Sequence, residues 1–136
     1  MVQLAKVMSK KQLAGKVLGD LESEIMGIIW SQKDAISVKC VTEILSRKRQ
    51  IAYTTVMTVM TRLVDKGVLT RHLSEGSRYL YKPRVSKERF VARAAHSIFS
   101  SAVSTLGEEV LAHFIKEIQR ISPRKRRILL KMLSEN

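Results

Sequence analysis

The sequence predicts a mainly α-helical chain with one small β-hairpin, on three observations. Apolar residues recur at helical spacing in three segments before residue 67 and in three more after residue 86. Between them, residues 68–73 and 78–82 alternate with period two around a short turn. Across residues 47–84, nine bases (Arg47, Lys48, Arg49, Arg62, Lys66, Arg71, Arg78, Lys82, Arg84) stand against two acids (Asp65, Glu75), a local charge of +7.

Residues 1–17 carry Lys6, Lys10, Lys11 and Lys16 without an acid and with little apolar pattern, which predicts a flexible basic arm. The first helix is expected from Asp20 to about Ser31. Leu21, Ile25, Ile28 and Ile29 form its buried stripe, Leu18 leads in and Trp30 closes the hydrophobic end. Ser37 is the expected N-cap of a second helix whose Val38, Val41, Ile44 and Leu45 face a core. A short basic connection follows over residues 47–52.

The third helix, YTTVMTVMTRLVDKG over residues 53–67, is the most informative. At 100° per residue Val56, Val59, Met60 and Leu63 make an apolar stripe, while Thr54, Thr55, Thr58, Thr61, Arg62 and Asp65 lie opposite. Threonine is a mediocre helix former, so four of them on one face is an unusual way to meet water. Short hydroxyls beside methyl groups do suit base edges, where they hydrogen-bond or pack on thymine methyls. Gly67 is placed to end this helix.

Glu75, Gly76 and Ser77 supply the hairpin turn, Tyr79 and Tyr81 share a face of the second strand, and Pro83 ends it. Three helices, the third polar outside, followed by a basic hairpin describe a winged helix-turn-helix over residues 18–84. In that arrangement the third helix enters the major groove and the hairpin lies on the backbone. From Ser86 the pattern is helical again, with Phe90, Val91, Ala94, Ala95, Ile98, Phe99 and Ala102. Val110, Leu111, Phe114, Ile115 and Ile118 follow, and then, after Ser122-Pro123, Ile128, Leu129, Met132 and Leu133. Residues 85–136 bear more apolar surface than so small a unit can bury, so they either fold back on the winged helix or pair with a second copy; pairing is favoured, which predicts a helical dimerisation domain. Its expected interface is Phe90, Ile98, Phe99, Val110, Leu111, Phe114, Ile118, Leu129 and Leu133.

The chain has 136 residues, 45% of them hydrophobic, enough for a single packed domain with an appendage. No apolar run approaches the roughly 18–20 residues of a membrane span, and MVQLAKVMSKKQLAGKV lacks a signal-peptide core, so a cytoplasmic chain with no stable membrane association is expected. One cysteine, Cys40, excludes a disulfide framework and a cysteine metal cluster. His72, His96 and His113 have no metal-site spacing, so no metal or other cofactor is expected. The net charge of +13 speaks for an anionic partner, and nucleic acid fits its coincidence with the third helix. No Ser-His-Asp, Cys-His or paired-carboxylate constellation presents itself. Asp20, Glu22 and Glu24 read as first-turn acids complementing a helix dipole, so an enzyme is not expected.

Leu18-Gly19-Asp20-Leu21-Glu22 with Glu24-Ile25-Met26 and Trp30, then Tyr53 to Thr58 through Arg62-Leu63 and Lys66-Gly67, and finally Tyr79, Tyr81 and Pro83, resemble the penicillinase repressor family. That family includes beta-lactamase and methicillin-resistance repressors and copper-responsive CopY-type repressors. The resemblance spans about residues 18–133. It implies a dimeric repressor that binds a double-stranded, palindromic operator through the winged helix. The family's base-reading positions fall on Thr54, Thr55, Met57 and Thr58. Phosphate contacts are expected from Thr61, Arg62 and Lys66 on the helix and from Arg71, Arg78 and Lys82 on the wing.

The sequence departs from the family in four places. Where many members have Gly-Arg at the wing tip, this chain has Gly76-Ser77 and then Arg78. The copper branch's C-terminal Cys-x-Cys is missing, which excludes thiolate copper sensing. In the beta-lactam branch a membrane sensor protease system leads to cleavage at an Asn-Phe bond; the corresponding pair here is His113-Phe114. Finally, the commonly acidic C-terminal helix carries Arg124-Lys125-Arg126-Arg127, read as a solvated basic face. The alternative to a sequence-specific repressor is an architectural protein that uses its charge non-specifically on nucleic acid.

Overall fold

The computed structural model describes residues 18–135, and the basic arm expected over residues 1–17 lies outside the described residues. The elements run α1 (Asp20–Ser31), α2 (Val38–Ser46), α3 (Tyr53–Asp65), β1 (Leu69–Leu73), β2 (Tyr79–Pro83), α4 (Lys87–Leu106), α5 (Glu109–Gln119) and α6 (Pro123–Ser134). Two compact units part within α4, between Ser97 and Ile98.

In the first unit, α1, α2 and α3 close on one core. Ile25, Met26 and Ile29 of α1 meet Val38, Val41 and Leu45 of α2, the whole expected stripe of α3, and Val68, Leu69 and Tyr81 of the hairpin. The stripe expected on α1 is shifted: Leu21 and Ile28 are half-buried and Met26 is fully buried in their stead. An unbranched thioether fills the irregular space under crossing helices that a periodic pattern cannot describe. Ser37 caps α2 as expected, its side chain accepting the Cys40 N–H at 3.2 Å.

The end of α3 is a Schellman turn. Gly67 at φ 77° lets the Val68 N–H reach the Leu63 carbonyl and its own N–H reach that of Val64, both at 3.0 Å. The chain therefore reverses directly into β1. The hairpin is antiparallel from Leu69 opposite Pro83 to Leu73 opposite Tyr79. β2 ends on Pro83 rather than before it, a strand-end position where the missing N–H costs little. On the other edge of β2, Ile36 exchanges two backbone hydrogen bonds with Tyr81, at 2.8 and 2.9 Å. That bridge pins the wing to the segment between α1 and α2, and Tyr81 is buried while Tyr79, on the same face, is 46% exposed.

Two side-chain ties complete the unit. The Trp30 indole N–H donates to the Val85 carbonyl at 3.0 Å, and its ring centre lies 5.6 Å from that of Phe90. Phe90, expected at a dimer interface, thus packs on the winged-helix core at the start of α4, where Ser86 caps the Arg89 N–H. Glu22 accepts the Gly19 N–H at 3.0 Å and takes the Lys66 ammonium at 2.8 Å, joining the first turn of α1 to the end of α3. Burial pushes the Glu22 carboxyl up. The Lys66 hydrogen bond, the Gly19 N–H and the charges of Lys66 and Arg62 outweigh it and hold the group below the usual carboxylate range.

The second unit holds the rest of α4, α5 and α6. Gly107 at φ 82° turns α4 into α5, and the Phe99 and Phe114 rings lie 5.9 Å apart. Ser122 caps α6 through the Lys125 N–H, and the Arg126 guanidinium donates to the Gln119 carbonyl at 3.2 Å, closing the end of α5. Among the described residues of this unit only Ala102 is buried.

Two stability tests follow from this packing. Leu63→Ala should cost about 2–5 kcal/mol in denaturant unfolding, whereas Gly67→Ala should cost on the order of 1 kcal/mol because only its φ is offended. The Glu22 tie gives a pH dependence. A carboxyl whose folded pKa is lowered stabilises the fold above its unfolded value of ~4.3 and loses that contribution as pH falls through the folded value. Glu22→Gln should therefore be less stable than wild type at neutral pH, and the gap should close on acidification below about pH 4.

Candidate nucleic-acid interface

A rigid helix presenting a uniform face is what a groove reader needs, and α3 has one. Its buried side holds Val56, Val59, Met60 and Leu63, so the opposite side cannot rotate inward. Thr54, Thr55 and Thr58 are exposed there, as expected, and Thr61 is half-buried. Met57, which the helical wheel puts on the shoulder between faces, is 41% exposed and joins the outer face.

The threonines are not equivalent chemically. Thr58 donates its hydroxyl to the Thr54 carbonyl and Thr61 donates its own to the Met57 carbonyl, both at 2.9 Å. Those two side chains keep lone pairs and a methyl for an outside partner. Among the described residues, Thr54 and Thr55 have no side-chain hydrogen bond, so each can donate as well as accept. Together they can accept from the exocyclic amino group of adenine or cytosine, donate to guanine or thymine oxygens, and pack on a thymine methyl. The N-cap of α3 is Ala52, which supplies no side-chain bond; its carbonyl accepts the Thr55 N–H at 3.1 Å, and the N-terminal end of the helix is where an anion is favoured.

The expected phosphate contacts separate into three groups. Arg62, Arg78 and Lys82 are exposed. Arg71 is exposed but ordered, its guanidinium 4.5 Å from the centre of the Tyr79 ring, which removes part of the entropy cost of fixing it on a ligand. Lys66 is the exception, because Glu22 engages its ammonium within the protein. Two of the three acids of α1, read from sequence only as complements to a helix dipole, thus have specific partners; Glu24 likewise pairs with Arg49. A long-range ion pair between residues 44 apart leaves no signal in local spacing.

The wing tip turns at Glu75, Gly76 and Ser77, and its left-handed residue is Ser77 at φ 59°. A non-glycine residue there is a strained one, and it precedes Arg78 directly. Among the described residues, no group of three or more His, Cys, Asp or Glu could hold a metal ion, and no helix is long and apolar enough to cross a membrane.

Of the residues expected at a dimer interface beyond Phe90, Phe99 is 46%, Ile118 54%, Leu129 40% and Leu133 72% exposed, and Ile98, Val110, Leu111 and Phe114 are half-buried. His113 and Phe114 sit inside α5, with His113 exposed.

Residues 18–135 match the family model described as penicillinase repressor. The transcriptional regulator BlaI of Mycobacterium tuberculosis is 32% identical over 102 residues, covering 74% of this chain and 73% of that protein. The penicillinase repressor of Bacillus licheniformis is 26% identical over 102 residues, covering 75% and 78%. Among solved structures, a Staphylococcus aureus MepR–DNA complex overlaps 90% of this chain and 92% of its own, at 20% identity and a TM-score of 0.49.

Proposed function

The chain belongs to the penicillinase repressor family, and from that premise we infer a sequence-specific DNA-binding transcriptional repressor that acts as a homodimer on a palindromic operator. It is a non-enzymatic regulator. One observation supports the reading above the others: the exposed threonine face of α3, held rigid by a fully buried opposite face and flanked by a basic wing. Thr54, Thr55, Met57 and Thr58 read bases. Thr61, Arg62, Arg71, Arg78 and Lys82 hold phosphates, and Lys66 reaches one only by sharing its charge with Glu22.

The dimer is supported by the second unit. Phe99, Ile115, Ile118, Ile128, Leu129, Leu130, Met132 and Leu133 are each 40% exposed or more, an apolar surface of the kind that marks a protein interface. A two-fold protein and a palindromic site imply one another. Repression follows from occupying DNA that polymerase needs, and induction from losing the dimer. A membrane sensor protease system acting at His113-Phe114 is one route to that loss. The bond lies within the helical span of α5, so a protease must first unwind the helix, and the cut would part Phe114 and α6 from the first half of α5.

Thr55→Ala should weaken binding to a selected duplex by about 1–3 kcal/mol while leaving random-sequence binding unchanged, whereas Arg71→Gln should weaken both and flatten the plot of log affinity against log salt by about one. Competition titrations at several salt concentrations check both. An unchanged ratio of selected to random affinity in Thr55→Ala would sink the reading-helix assignment in favour of the non-specific architectural protein.

A further inference from the structure

Between the start of α2, the first turns of α3 and the wing tip lies a groove of about 340 Å³, lined by Lys39, Tyr53, Met57, Ser77, Arg78 and Tyr79 among others. None of its lining residues is acidic, and two are cations. Tyr53 is 49% and Tyr79 46% exposed, and Arg71 lies over one face of the Tyr79 ring, so both phenol rings still present apolar surface beside the cations. Large aromatic rings left in water beside positive charge call for a partner with both an apolar and an anionic part. The groove also shares Met57 with the outer face of α3, and its far wall holds the left-handed Ser77.

We propose that this groove is the seat of one sugar–phosphate segment of the DNA strand next to the bases that α3 reads, with Tyr53 and Tyr79 against the deoxyribose and Lys39 and Arg78 on the phosphates. The proposal rests on the repressor reading and adds Tyr53, Tyr79 and Lys39 to the residues that carry it. A deoxyribose–phosphate unit has the required mixture: an apolar sugar face for the rings, and oxygens that accept from the Lys39 ammonium and the Arg78 guanidinium. Such contacts are blind to base identity. They fix the register of α3 against the duplex, on which the usefulness of Thr54, Thr55 and Thr58 depends.

The test uses the full chain, a duplex enriched by the wild type from a random-sequence library, and an unselected duplex of equal length. Lys39→Gln is expected to lower the slope of log affinity against log salt by about one for both duplexes. Tyr79→Ala is expected to weaken both roughly tenfold, with Tyr79→Phe close to wild type because the ring and its stack with Arg71 remain. Hydroxyl-radical cleavage, which reads sugars one at a time, should show a protected stretch flanking the read bases in the wild type. Tyr53→Ala and Tyr79→Ala should lose that stretch alone. Both tyrosines and Lys39 are exposed, and unfolding midpoints equal to wild type confirm that the variants are folded. If the wild type enriches a site while Lys39→Gln keeps its slope and the tyrosine variants keep the protected sugars, the groove has another occupant and the proposal falls. If the wild type enriches no site, the repressor reading falls first and takes the groove with it.

Discussion

The rotational setting of α3 is the constraint on which the rest of the structure depends. Val56, Met60 and Leu63 are completely buried and Val59 nearly so, which fixes the helix about its own axis. Rolling it by one residue, about 100°, would put threonines into an apolar core and lift a core side chain into water. The Schellman turn at Gly67 fixes the end of the helix, and the Glu22–Lys66 pair ties that end to α1. The Ile36–Tyr81 bridge then places the wing relative to the same core. Each tie is modest alone. Their joint effect is to leave one orientation in which the threonines face outward beside a basic hairpin.

How much of this was legible in the sequence depends on the range of each interaction. The α3 stripe was legible in full because four core residues on one helix obey a single period. Ser37, Ser86 and Ser122 were legible because capping is a contact over three residues. Met26 was not, because which flank of a stripe is buried depends on the helices crossing it. Neither were the Ile36–Tyr81 bridge, the Trp30–Val85 hydrogen bond or the Glu22–Lys66 pair, whose partners are 44 or more residues apart. The left-handed residue at the wing tip was not legible for a different reason. Glycine is the cheapest residue at positive φ, but the register of the strands decides which turn position needs it, and here that position holds Ser77.

The two units differ in self-sufficiency. The first closes a core with residues from α1, α2, α3 and the hairpin, and Trp30 and Phe90 carry that core onto the first turn of α4. The second leaves most of its large apolar side chains open to solvent and buries only Ala102 among its described residues. Under the proposed dimer, the folding of this unit and its pairing would be one problem. Weakening the association in that dimer would expose this apolar surface and part the two winged helices in one step.

The charge of the winged helix has a similar double use. Nine bases over residues 47–84 suggest an undifferentiated positive field, but Arg49 and Lys66 are paired with Glu24 and Glu22 of α1. Arg71, stacked on Tyr79, keeps its charge. The cations left for long-range attraction are therefore fewer than the count implies, and those that remain exposed include Arg62, Arg78 and Lys82 along α3 and the wing. Since phosphate contacts add affinity without distinguishing sequences, spending two bases on the fold lowers the non-specific background against which a reading helix must compete. Glu22 ties the end of α3 to α1, Glu24 ties the α2–α3 connection to it, and both neutralise charge that would attract any duplex equally well.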